Sequence, residues 1–179
     1  MAEALSARLW LGRGLFALLV MVLLFIELVP LGFDAERAPR PDLPVALAFA
    51  VLLRRPDLAP LWLLAGLWFL ADLLLQRPPG LWAALAVLAF EFARDREYRF
   101  REAMFPLEWG FVALLLFAAM LANRLILALT LTPLPALGTV MLHYFVTVLA
   151  YPAVVFFCYF ILRIHKVTPD EAFRYGHRL

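Results

Sequence analysis

Apolar residues run along this chain in six blocks: 14–31, 43–53, 58–75, 81–93, 107–129 and 137–164. Each predicts a helix, and no stretch alternates apolar and polar residues as a half-buried strand does. Proline stands at most of the breaks (Pro30, Pro41, Pro56, Pro78 and Pro133), as a helix boundary favours. A helix crossing the hydrocarbon core needs about 20 residues, so the second and fourth blocks are short. A thinner bilayer, extension into flanking residues or burial among neighbours accommodates a short span. The run EFARDREYRFREA, rich in helix formers and free of proline, predicts extension of the fourth.

Composition removes the soluble alternative. Of 179 residues, 65% are hydrophobic, 15% aromatic and only 17% charged, with a mean hydropathy of +0.88. Soluble domains are about 45–50% apolar and about 25% charged. The first block lacks a persuasive cleavage site and is interrupted by Glu27, so it is expected to be a retained span rather than a signal peptide.

Net charge is only +2, and the basic residues sit in short loops, which tracks orientation and argues against nucleic acid. Six crossings with a cytoplasmic N-terminus put twelve basic residues inside, against Arg37, Arg40 and Arg77 outside, with Arg124 inside the fifth span. The excess of inner positive charge predicts both termini in the cytoplasm. The expected organisation is a cytoplasmic segment 1–13, a six-helix transmembrane domain 14–164 and a cytoplasmic tail 165–179 of a multi-pass plasma-membrane protein. Three short outer connections follow, GFDAERAPRP, QRPPG and TLTPLPA. In the second, Arg77, Pro78, Pro79 and Gly80 predict a tight hairpin turn in which glycine takes a positive φ.

Several polar residues fall at one depth, toward the outer half of the bilayer: Glu27, Asp72, Gln76, Asn123, Arg124 and His143. Charges in hydrocarbon face protein or a water cavity and are paired. The shared depth makes Arg124 the expected partner of Glu27 or Asp72, and Asp72 and Gln76, one turn apart, are expected on one face. Such a cluster serves as glue between helices, as an outward pocket for a small molecule or ion, or as a proton relay through His143. At the inner side Arg94, Arg96, Arg99 and Arg101 form a basic face suited to anionic lipid headgroups, which a cytoplasmic partner could also meet. Glu108, near a helix N-terminus, is stabilised there by the helix dipole. Alanines 46, 48 and 50, and 83, 86 and 89, let the short helices approach their neighbours closely.

The missing chemistry narrows function. Ser6 is the only serine and precedes the first span, which excludes an intramembrane serine protease. Cys158 is the only cysteine, so no internal disulfide or thiol cluster forms. No metal-ligand motif or phosphate loop occurs. No catalytic residue, metal or cofactor is expected, and the chain does not read as an enzyme.

The stretches LVPLGF, PDLPVALAFAVLLRRPD, ADLLLQRPPGLWA, EFAR, FPLEW, ANRLIL, AYPAVV and GHRL, in this order and spacing, resemble the bacterial rod shape-determining protein MreD family. The resemblance covers nearly the whole chain. It implies a non-enzymatic scaffold of the cell-elongation machinery that supports peptidoglycan synthesis. The partners it implies are an MreC-like bitopic protein and, around it, a RodA-type polymerase, a class B penicillin-binding protein and, indirectly, MreB filaments. It also implies an all-α fold of six transmembrane helices resembling the substrate-binding subunits of energy-coupling-factor transporters, which would make the outward polar groups a former or present pocket. Pro44 departs from the expected aliphatic run and predicts an irregular start to the second helix.

Overall fold

The computed structural model describes residues 2–29, 40–100 and 103–160. Most of the connection between the first two blocks including Arg37, then Arg101, the end of the sixth block and the tail 165–179, lie outside the described residues. Those described are helical nearly throughout and contain no strand. The helices are α1 (Ala2–Leu28), α2 (Leu43–Leu52), α3 (Leu61–Leu74), α4 (Leu81–Arg94), α5 (Glu97–Phe100), α6 (Phe105–Leu129) and α7 (Leu137–Phe160), with a 3₁₀ turn at Pro56–Leu58. Among the described residues, three stretches are long and apolar enough to cross a membrane: Ser6–Leu28, Phe105–Leu129 and Leu137–Phe160.

The shortest apolar helix is the centre of the molecule. α2 has 10 residues, about 15 Å at 1.5 Å each, and every residue from Pro44 to Leu53 is buried. It packs on α1, α4 and α7, while α1, α3, α4, α6 and α7 follow one another around it. Ala46, Ala48 and Ala50 are wholly inaccessible, so their small side chains let neighbouring backbones come close. Phe90 of α4 meets Phe49 of α2 and Trp68 of α3 edge-on, both with ring centroids 4.8 Å apart. α2 is thus enclosed by protein over its whole length.

Both ends of α2 are tied. At its start Asp42 Oδ1 accepts from the Val45 N–H at 3.1 Å, an N-cap bond that satisfies one orphan donor. The Asp42 N–H donates to Thr147 Oγ1 of α7 at 2.9 Å. Pro44 lies in the first turn, where a missing N–H costs nothing. The irregular start expected from Pro44 is therefore corrected. Just past the other end, Arg54 donates to the Ala50 carbonyl at 3.0 Å and meets Glu108 Oε1 at 2.9 Å. The Tyr151 hydroxyl donates to the same carboxylate oxygen at 2.8 Å. Arg54 is not a loop charge in water, and Glu108 does more than face a helix dipole; they form a buried pair joining α2 to α6 and α7.

Two further departures have visible causes. α4 does not extend: it ends at Arg94, turns at Asp95 and Arg96, and resumes as the one-turn α5. The turn brings Phe100 onto Phe111 of α6, ring centroids 4.6 Å apart, and buries Glu97. A straight extension would leave that apolar contact unmade. α1 begins at Ala2, twelve residues ahead of the first apolar block. Gly12 lets the Leu58 side chain lie against that early portion of α1, where a Cβ would stand 2.6 Å from it.

α7 carries Pro152 in its interior. Proline has no N–H, so the Val148 carbonyl one turn earlier loses its intrahelical donor. The Trp109 indole of α6 replaces it, Nε1 to Val148 O at 2.8 Å. The freed backbone group in the apolar interior is thus re-satisfied by a neighbouring helix, as membrane helices require.

Candidate functional site

The hairpin from α3 to α4 builds one wall of the site. α3 ends in a Schellman motif: the Arg77 N–H bonds to Asp72 O at 3.0 Å and the Gln76 N–H to Leu73 O at 3.4 Å. This geometry needs a left-handed residue between them, and Gln76 occupies it with φ 53°. The Leu81 N–H then closes on Pro78 O at 3.2 Å, with Gly80 at φ 85° and ψ −14°, the third-position geometry of a type II turn.

Gly80 is also the N-cap of α4 and has no side chain to cap with. Asp72 supplies it from α3. Its Oδ2 accepts from the Gly80 N–H and the Ala83 N–H, both at 3.0 Å, while the residue itself is wholly buried. A carboxylate at a helix N-terminus is favoured by hydrogen bonds and by the dipole together. Asp72 is therefore a capping residue that folds two helices into one hairpin.

The expected polar cluster divides. Asp72 serves the hairpin, and Gln76 is exposed beyond the end of α3, so the two do not share a helix face. Arg124 pairs with neither Glu27 nor Asp72; it donates to Pro135 O at 3.0 Å, bridging the turn between α6 and α7. Glu27 instead faces Arg77, Oε1 to a guanidinium nitrogen at 3.6 Å. The helices turn these groups toward different neighbours.

What remains converges. A cavity of about 560 Å³ lies between the end of α1, the start of α2, the α3–α4 hairpin, α6 and α7. Glu27, Asn123 and His143 of the expected cluster line it, together with Arg77 of the hairpin and Arg40, Asp42, Trp82, Thr139, Tyr144 and Thr147. Leu75, Leu81, Leu116, Met120, Leu127 and Val140 give it apolar walls. Arg40 reaches the carbonyls of Glu27 and Val29, each at 3.4 Å. Tyr144 donates to Ala113 O at 3.1 Å and Thr147 to His143 O at 2.8 Å. The side chains of Asn123, Thr139 and His143 make no hydrogen bond among the described residues. The Trp82 indole nitrogen is buried without a partner. Asp42 was within reach of sequence reasoning, since aspartate two residues before a helical proline is a helix-start signal. Thr139 and Thr147 stand one turn before and after His143 on α7, and Tyr144 directly follows it, but their orientation toward the cavity follows only from packing.

The basic face is partly structural. Arg94 donates to Ala59 O and sits 3.6 Å from Glu91. Arg96 covers the Phe92 ring at 3.4 Å, and Arg99 donates to the Tyr98 hydroxyl at 3.0 Å. Arg101 lies outside the described residues. Among those residues no group of three His, Cys, Asp or Glu side chains is arranged to hold a metal. Comparison with protein families, curated proteins and solved structures finds no match to this chain.

Proposed function

We propose that this protein is a non-enzymatic membrane scaffold of the MreD type, crossing the plasma membrane six times with both termini in the cytoplasm. In this reading it binds an MreC-like bitopic protein and holds it near a RodA-type polymerase and a class B penicillin-binding protein. One observation carries the proposal: the buried charged groups are committed to construction. Asp72 and Asp42 cap helices, Arg124 and Trp109 satisfy carbonyls, and Arg54 with Glu108 joins three helices. Meanwhile long apolar faces of α1, α6 and α7 remain unburied, including Leu18, Phe25, Leu114, Leu121, Leu149 and Phe156, and offer surface to other membrane helices. The test is co-purification with an MreC-like protein in mild detergent. Recovery of the pair at levels above an unrelated bitopic control is the expected result, and recovery equal to that control rejects it.

The cavity favours a second reading, an outward-facing small-molecule-binding membrane subunit of transporter type. Its volume of about 560 Å³ lies within the range of about 300–1,000 Å³ usual for ligand pockets. A ligand-dependent rise in melting temperature tests it, and no response to any small molecule offered counts against it.

A further inference from the structure

We propose that the outer cavity takes a small amphipathic zwitterion, its oxyanion on Arg77, its ammonium on Glu27 and its apolar part along Leu81, Leu116 and Met120. This rests on the reading of the cavity as a binding site, and not on the scaffold reading.

Charge balance is the first argument. Two guanidiniums, Arg40 and Arg77, and two carboxylates, Glu27 and Asp42, line the cavity. A simple anion would be drawn to the arginines but would also meet both acids, and a simple cation would meet both arginines. A molecule carrying both charges has no such conflict.

Geometry is the second. Glu27 and Arg77 stand 3.6 Å apart, longer than the roughly 2.7–2.9 Å of a closed charge-assisted hydrogen bond. A zwitterion entering between them exchanges one loose pair for two close ones. Asp42 already caps α2 through Oδ1, which leaves Glu27 as the acid available to an ammonium.

The opposite wall supplies the third. Asn123, Thr139 and His143 make no hydrogen bond among the described residues, so both donors and acceptors face the cavity. The unpartnered Trp82 indole N–H adds a donor on the hairpin side. Side chains of both kinds suit a ligand that donates and accepts.

The same chemistry occurs in free amino acids with apolar side chains and in the headgroup of phosphatidylethanolamine. The experiment separates them. Purified protein in maltoside detergent is titrated with leucine, phosphoethanolamine, inorganic phosphate and ethylammonium while its melting temperature is followed. In parallel, nanodiscs of phosphatidylethanolamine or phosphatidylglycerol are compared by native mass spectrometry for retained lipid. The expected result is a rise with leucine or phosphoethanolamine and none with phosphate or ethylammonium, or retention of phosphatidylethanolamine alone. Glu27→Gln and Arg77→Gln are each expected to weaken the effect at least tenfold. Thr139→Trp, at an exposed cavity-lining position, is expected to abolish it without lowering the unliganded melting temperature, which decides the matter if the charge variants fold poorly. Phosphate acting as strongly as the zwitterions overturns the ligand class while the site stands. Binding untouched by Thr139→Trp places the ligand elsewhere and overturns the proposal. No probe bound and no lipid retained overturns both the proposal and the binding-site reading.

Discussion

Replacing Trp109 with Phe removes one N–H and leaves most of the ring in place. The structure defines what is lost. Pro152 deprives the Val148 carbonyl of its helical donor, and Trp109 Nε1 at 2.8 Å is the hydrogen-bond donor recorded for that oxygen. An unsatisfied buried acceptor costs about 1–3 kcal/mol, whereas measured interhelical bonds in membrane proteins average about 0.6 and reach about 1.7 kcal/mol. We therefore expect Trp109→Phe to destabilise by about 1–2 kcal/mol. Packing loss alone would also lower stability, so the informative measurement is a double-mutant cycle. Pro152→Ala restores a backbone N–H to the same carbonyl, and in that background Trp109→Phe is expected to cost about 1 kcal/mol less. Cys158, the sole cysteine and fully buried, supplies the assay: its maleimide labelling, followed across an SDS titration in mixed micelles, reports unfolding. Equal costs of Trp109→Phe in both backgrounds would refute the account of how α7 tolerates its proline.

Three further outcomes can be read by the same titration. Asp72→Ala removes the acceptor of two N–H groups at the start of α4 and is expected to cost about 0.5–2 kcal/mol; Asp72→Asn keeps an acceptor oxygen and is milder, and wild-type stability in both variants removes Asp72 from the hairpin argument. Leu131 sits at φ 55° and is 92% exposed, closing α6 in a second Schellman motif through Thr132 N–H to Leu127 O at 3.1 Å. Because only glycine adopts that conformation freely, Leu131→Gly is expected to stabilise by up to about 1 kcal/mol, and destabilisation counts against it. Arg54→Met removes the cation facing the buried Glu108 carboxylate and is expected to cost about 3–5 kcal/mol, part of which Glu108→Gln restores; a silent Arg54→Met would mean the pair is not formed.

The apolar blocks located the six longer helices, with the ends of α2, α4 and α6 displaced by two residues or fewer. They did so because a hydrophobic run reports position along a helix axis. Rotation about that axis is a different quantity, and a helix that is apolar on most sides carries little trace of it. Arg124, expected beside Glu27 or Asp72, reaches Pro135 instead. The two buried links to α2 join residues far apart in sequence, Asp42 to Thr147 and Arg54 to Glu108, and no local pattern announces either. The α3–α4 hairpin was more legible because proline and glycine act locally: Gly80 takes the positive φ its position implies. Even there the destination of the Asp72 carboxylate, the next helix's N-terminus, needed the folded chain.

The polar groups of α7 fall in one succession that explains how α2 is held. His143 O accepts from Thr147 Oγ1, which in turn accepts from the Asp42 N–H at the start of α2. One turn further, Tyr151 donates to Glu108, the partner of Arg54 beyond α2's other end. Val148, the carbonyl freed by Pro152, lies between Thr147 and Tyr151. The proline therefore sits beside the stretch where α7 grips both ends of the central helix, and Trp109 fixes the local geometry of that stretch. His143 lines the cavity and is one hydrogen bond from Thr147, so an occupant that displaces the first turns of α7 acts on the start of α2 through that bond. Cavity and core are thereby joined through one short segment of α7.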